Sequence, residues 1–340
     1  MAGRSEVSPD VGTEVTTGVL SPSARSGWSL GRLDPRGAIV YVSLGLLFVV
    51  FSILLRNQGF LSQNNLFNIV LQAATIAVMA CTYVFVLAAG EIDLSIGSTV
   101  ALSAMVTAAA LQSHGLLFGI LAGLGTGLAV GAVNAALVTV AGIPSFLATL
   151  ATLSIGQGLA RSINNLQTLD VSSNAYDTIF GSGAVAGVST LFIWMVLVAA
   201  VAWVAFHSAR LGAHVRATGD NRKAAAAVGI RVRRIRASVL IFSSLAAALA
   251  GMLYAGRIQS ASYTLGETDL LTVIAAVIIG GTSLSGGRGT IPGALAGSVL
   301  LAMLNNGLIL AGLSVAQQSV ALGIIIVLAV ILGRDRQASS

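Results

Sequence analysis

The sequence has little of what a water-soluble domain is made from. Charged residues make up 9% of its 340 positions, where a typical soluble domain carries about 25%, so water is not the chain's main solvent. Cysteine occurs once, as Cys81 inside an apolar run, which excludes a disulfide framework and a cysteine metal site. Histidine occurs three times, as His114, His207 and His214. These lie near predicted helix ends without metal-ligand spacing, and no nucleophile or paired acid accompanies them, so an enzyme is disfavoured and no cofactor is expected. Lysine is almost absent, yet 17 arginines leave a formal charge of +6. The basic residues cluster at the ends of apolar runs, where membrane topology explains them, and nucleic-acid binding is disfavoured with them.

What remains is 56% apolar, with 39 glycines and a mean hydropathy of +0.91. Aromatics are only 6%, so the apolar content is Ala, Val, Leu, Ile and Gly, residues that let helices approach closely within lipid. A hydrocarbon core about 30 Å thick takes about 20 helical residues. The runs predict an all-α polytopic membrane protein of about ten transmembrane helices, near 37–55, 66–89, 94–112, 116–141, 144–160, 189–207, 237–256, 268–282, 291–311 and 315–333. The fifth and eighth are short for a full crossing, which suits tilted, re-entrant or broken helices.

Residues 1–36 are rich in Ser, Gly, Thr, Pro and charge and read as a disordered tail, with no cleavable signal preceding the first long run. The domain plan is therefore a tail over 1–36, a transmembrane domain over 37–333 with a long connection at 208–236, and a short C-terminal tail over 334–340. Placing the N-terminus inside leaves fifteen of the eighteen basic residues on the cytoplasmic side, so both termini are expected in the cytoplasm. The stretch from Gly119 resembles the one from Gly293 at seven of 21 positions once LGTG is skipped. The two run in opposite directions in this topology, as in the inverted repeats of many transporters.

Gly119, Gly123, Gly127 and Gly131 recur every four residues and line one face of the fourth run as overlapping GxxxG units, a surface for close helix packing. GGTSLSGGRGT from Gly280 lacks the Lys-Ser/Thr ending of a phosphate loop and reads as a glycine-rich hairpin, with Pro292 early in the next helix. Glu91 and Asp93 sit between two apolar runs, where an ionised group in lipid costs at least about 2.5–3.5 kcal/mol. They are read either as an interfacial loop in which Asp93 or Ser95 caps the next helix, or as part of the solute path or its gate. The amides Gln72, Asn134, Gln157, Asn305, Asn306, Gln317 and Gln318 join them as polar groups at membrane depth. Amides both donate and accept hydrogen bonds, which suits a neutral polyol or sugar, so Glu91, Asp93, Ser95, Gln72, Asn134, Asn305 and Asn306 form the candidate pathway or gate set. The 208–236 connection holds an Ala-rich, helix-favouring core over 221–228, with Asp220 or Asn221 to cap it and Gly229 to end it. A structured helix exceeds what orientation requires and reads as a docking surface for a cytoplasmic partner.

These motifs resemble the permease subunits of bacterial ABC importers for simple sugars, of the ribose, xylose, arabinose and galactose type, which include autoinducer-2 importers. The likeness is carried by GEIDLSIGS at Gly90, AGIPSFLATLATL at Ala141, GDNRKAAAAVGI at Gly219, LAAALAGMLYAGRI at Leu245 and the long stretch VIAAVIIGGTSLSGGRGTIPGALAGSVLLAMLNNGL at Val273. It implies an inverted-repeat fold similar to that of the cobalamin importer, in the bacterial inner membrane. The partners it implies are a second permease, identical or not, ATP-binding subunits at the cytoplasmic face and a solute-binding protein at the outer face. By the same resemblance, Gly219, Asp220, Asn221, Ala224, Ala225, Gly229 and Ile230 match the helix that couples the permease to its ATPase. Glu267 and Asp269 fall near the outer mouth. The rival readings are a branched-chain amino-acid permease of the same class and an ion-coupled secondary transporter.

Overall fold

The structure, a computed structural model, describes residues 35–333. The expected N-terminal tail, all but its last two residues, and the 334–340 tail lie outside the described residues. Thirteen α-helices follow one another among the described residues: α1 (Pro35–Leu54), α2 (Gln63–Ala88), α3 (Ile96–His114), α4 (Leu116–Thr139), α5 (Ser145–Ile163), α6 (Asn174–Phe180), α7 (Thr190–Trp203, prolonged by a π turn over Val204–Ser208), α8 (Arg210–Asp220), α9 (Arg222–Ala227), α10 (Val232–Ile258), α11 (Asp269–Ile279), α12 (Ile291–Leu310) and α13 (Val315–Gly333). Strand structure among the described residues is limited to two antiparallel pairings of two residues each, β1 (Leu169–Asp170) with β4 (Ser260–Ala261) and β2 (Ala184–Val185) with β3 (Val188–Ser189).

Six of these helices, α2, α3, α4, α7 with its π turn, α10 and α12, are long and apolar enough to cross a membrane. The fifth run is longer than the sequence suggested, because α5 continues to Ile163. The eighth is shorter: α11 has 11 residues, about 16 Å of helix, roughly half the hydrocarbon thickness. Two connections hold more structure than the sequence suggested. The 208–236 connection contains α8 as well as α9, and the 164–189 segment folds into α6 and a small hairpin.

Chain ends explain the helix limits. Ser62 caps α2 by accepting from Asn65 N–H, and Gly90 ends it in the left-handed region at φ +71°. Thr290 caps α12, with a proline in its first turn. α2 is buried almost all round from Ala73 to Ala88, as expected of a helix apolar on every side. It packs on α12, α10, α7 and α11, while α10 packs on α4, α3 and α2. α4 buries only a stripe, made of Gly119, Gly123, Gly127, Gly131, Asn134, Ala135 and Val138, and leaves Leu117, Leu121, Leu124 and Leu128 exposed. The glycine stripe rests against α3 and α10: Gly119 meets Leu111, Gly123 meets Thr107 and Met252, Gly127 meets Ala248, and Gly131 meets Ile241.

The connections sort into two faces. At the first, the 89–95 turn touches α8, α9 and α5, and the 280–290 loop bonds to Ala88 at the end of α2. At the second, Gln112 donates to the Asp170 carbonyl, Val171 N–H donates to the Gln259 carbonyl, and Arg161 pairs with Glu267 at 3.5 Å. α4 starts at the second face and α12 at the first, so the two stretches with similar sequence run in opposite directions. The Arg161–Glu267 pair is nearly half exposed on both sides, and exposed pairs contribute no more than about 1 kcal/mol. Arg161→Ala is accordingly expected to leave the melting midpoint of the detergent-extracted protein within about 2 °C; a larger fall would mean that the pair pins the 164–189 segment.

Candidate functional site

At the first face three backbone segments meet without side chains between them. A Cβ at Gly219, near the end of α8, would lie 2.7 Å from Gly287 N and nearer still to the Ala88 carbonyl oxygen at the end of α2. Gly286 sits equally close to the Gly219 carbonyl. Gly287 N–H donates to the Ala88 oxygen at 2.9 Å, and both Gly286 and Gly287 adopt positive φ, +87° and +77°. The hairpin of 280–290 thus closes over the α8 end and onto α2, and only glycine permits that approach.

Directly beside this contact, Glu91 turns its carboxylate inward and is only 2% exposed. Arg222, the first residue of α9, donates to Glu91 Oε1 at 2.7 Å and to the Gly90 carbonyl at 2.8 Å. Arg236, in the early turns of α10, donates to the same carboxylate through Nε, and through a terminal nitrogen at 3.4 Å. The two arginines are 131 and 145 residues away in sequence. One carboxylate therefore carries two guanidinium groups that bracket α9. The buried carboxylate holds its place because its charge is met, the condition for keeping an ion out of water, while the half-exposed Arg222 keeps part of its hydration.

The rest of the turn is tied to α4 and α5. Ser145 Oγ accepts from Ile92 N–H at 3.1 Å and Thr149 Oγ1 accepts from Leu94 N–H at 3.0 Å. Asp93 Oδ1 accepts from Ser95 N–H at 2.9 Å and from Ser95 Oγ–H at 2.6 Å, a turn that presets the entry to α3. Asn134 Nδ2 donates to Ser95 Oγ at 2.8 Å, and Thr152 Oγ1 donates to Asn134 Oδ1 at 2.7 Å. Asp93, Ser95 and Asn134 have no measurable exposure. Burial raises the Asp93 carboxyl above its ordinary value, and its bonds to Ser95 oppose the rise.

Glu91, Asp93, Ser95 and Asn134 are therefore gathered in one place, with Asp220, Asn221 and α9 alongside. Asn221 caps α9 by accepting from Lys223 and Ala224 N–H, Gly229 ends the segment at φ +87°, and Ala225 is buried while Ala224 faces solvent. Gln72 and Asn305 are half-buried and stand apart from the cluster. Asn306 forms a reciprocal amide pair with Asn65, at 2.9 and 3.1 Å, near the second face. Sequence reasoning missed Arg222 and Arg236 as partners of Glu91, and also Ser145, Thr149 and Thr152. The last three had a readable signal, since hydroxyls at i, i+4 and i+7 share one helix face. The arginines had none, because an ion pair across 131 residues leaves no local pattern.

The chain matches, over residues 65–330, a family model described as branched-chain amino acid transport system / permease component. It is 38% identical over 297 residues to the ribose import permease protein RbsC of Bacillus subtilis, covering 87% of this chain and 92% of that one. Identity to the ribose import permease protein RbsC of Escherichia coli K12 is 36% over 298 residues, covering 86% and 93%. To the L-arabinose ABC transporter permease protein AraH of Azospirillum brasilense it is 32% over 316 residues, 92% of each chain. No solved structure matches the chain. With helices long and apolar enough to cross a bilayer, an internal polar knot at one face and a family model spanning α2 to α13, the chain belongs to this family of transport-system permease components.

Proposed function

We propose that the chain is the membrane-spanning subunit of an ABC importer that carries a monosaccharide or related polyol across the bacterial inner membrane. The observation that carries this reading is likeness along nearly the whole length to permeases named for ribose and arabinose. Energy comes from partner ATPases, because the glycine-rich hairpin at 280–290 lacks the residues of a nucleotide loop and is folded against α2 and α8. A second permease copy and an external binding protein complete the assembly. The arginine-rich first face lies in the cytoplasm, with both termini, by the excess of basic residues there.

In this reading 219–230 is the contact for the ATPase, with Gly219, Asp220, Asn221, Ala224, Ala225, Gly229 and Ile230 shaping it. Glu91, Asp93, Ser95 and Asn134 frame the gate without touching solute, since all four are buried. Gln72 and Asn305, half-exposed amides, are the members of the set able to offer hydrogen bonds to sugar hydroxyls. The Asn65–Asn306 pair fastens α2 to α12 near the outer mouth.

Proteoliposomes holding the permease pair, the ATPase and a ribose-loaded binding protein test the assignment. Ribose uptake should require ATP and survive a protonophore. Uptake of leucine in place of ribose would move the protein to the amino-acid branch, and collapse with the protonophore would make it an ion-coupled carrier. Asp220→Trp and Ala224→Trp, both on exposed positions, should lower substrate-stimulated ATP hydrolysis at least tenfold while leaving the extracted permease folded. Unchanged hydrolysis would remove the 219–230 segment from the ATPase interface.

A further inference from the structure

Glu91 does something that neither the glycine contact nor the helix caps around it do: it fastens both ends of the 222–236 segment to a single point. Arg222 opens α9 and Arg236 lies in the early turns of α10. Everything between them, α9 and the Gly229 corner included, is a loop whose two feet stand on one carboxylate. Arg222 is 45% exposed and Arg236 18%, whereas the Glu91 side chain is 1% exposed. The cations therefore belong to the outer, partner-facing layer and the anion to the interior.

Behind Glu91 the path continues in short polar steps. The 90–95 turn has its own N–H groups bound by Ser145 and Thr149 of α5, and its Ser95 is bound by Asn134 of α4, which is bound in turn by Thr152 of α5. A displacement of α9 toward or away from the bundle pulls the Glu91 carboxylate through two charge-assisted bonds. The turn carries that pull to α4 and α5 through the bonds of Ile92, Leu94 and Ser95 to Ser145, Thr149 and Asn134, since a buried network of linked hydrogen bonds moves together.

We propose that Glu91 is the positioning residue that converts movement of the ATPase contact into movement of the membrane helices α4 and α5, the turn after α2 acting as the connecting rod. This rests on the reading of 219–230 as the ATPase contact. A purely structural ion cluster makes a different prediction: loss of Glu91 strands two cations, less complex folds, and every activity falls in proportion.

The experiment measures ribose transported per ATP hydrolysed in the reconstituted complex, for the native protein, Glu91→Gln, Glu91→Asp, Arg236→Lys and Ala224→Trp. Glu91→Gln should hydrolyse ATP within threefold of the native rate yet transport at least tenfold less, so the ratio falls at least threefold. Glu91→Asp, which restores the charge one methylene short, should recover part of the ratio, and Arg236→Lys, which keeps charge but loses the fork, should lie between native and Glu91→Gln. If the ratio stays native while both activities fall with the yield of folded complex, or if neither changes, Glu91 is not a transmitting residue. Ala224→Trp separates the underlying reading: hydrolysis untouched by it means that α9 is not the ATPase contact, and the proposal falls with that reading whatever Glu91→Gln shows.

Discussion

Gly219→Ala is expected to abolish sugar uptake and to lower the melting midpoint of the extracted protein, although it adds one carbon. The new Cβ would sit 2.7 Å from Gly287 N, 2.8 Å from Ala88 C and closer to the Ala88 oxygen. All three obstacles are backbone, so no rotamer change relieves them. Either α8 or the 280–290 loop has to move on the order of 1 Å in a close-packed interior, and the Gly287 N–H bond to Ala88 goes with it. Overpacking costs about 1–3 kcal/mol where side chains yield, and an obstacle made only of backbone puts this substitution at the upper end or beyond. Gly229→Ala is the internal control. Nothing lies within 4 Å of a Cβ there, but φ is +87°, so the cost is the left-handed penalty of about 1–2 kcal/mol with no dislocated neighbour. Thermal unfolding and uptake should therefore both rank native, Gly229→Ala, Gly219→Ala. An equal effect of the two would show that conformation, not contact, governs this face.

The second large effect is expected inside the bundle. A Cβ at Gly127 would lie 2.5 Å from Ala248 Cβ and 2.8 Å from the Ser244 carbonyl of α10, whereas nothing stands within 4 Å of Gly125. Two residues apart on a helix is about 200°, so one glycine faces α10 and the other faces lipid. Gly127→Leu forces α4 off α10, the most extensive helix contact among the described residues, at an expected cost above about 3 kcal/mol. Folded protein recovered from membranes should drop severalfold. Gly125→Leu, on the apolar outside, should change stability by less than about 0.5 kcal/mol. Recovery and melting of the two variants measure the difference, and similar losses would contradict the orientation of α4.

Much of this protein is readable along one dimension because lipid imposes a one-dimensional rule. Apolar runs of about 20 residues mark helices, since a helix satisfies its own backbone where no water can. Glycines every fourth residue mark a face of α4, since that is the helical repeat. The cap and stop of α9 were legible in Asn221 and Gly229 for the same local reason: the bonds involved close within three residues. α8 was not legible. Its sequence, RLGAHVRATGD, has two glycines and modest helix propensity, and it is held by docking: Gly212 lies against the Phe206 backbone and Arg216 donates to the Phe206 carbonyl. The half-length α11 was visible as a short run over 268–282, its start nearly right and its end three residues too far.

What the sequence determined by itself is the solvent the protein lives in, the places where its chain turns, and a likeness to sugar-importer permeases that the family and its relatives bear out. Those properties follow from composition and from interactions between residues a few positions apart. The tertiary structure alone decided which groups Glu91 pairs with. Sequence put that carboxylate between two apolar runs and required that it meet water or a partner, which left an interfacial loop and a solute path or gate both open. The fold supplied the partners, Arg222 and Arg236, from the far side of 131 and 145 residues. A charge buried in a low-dielectric interior takes whichever counter-charge the packing brings within reach, and no local rule of sequence says which one that is.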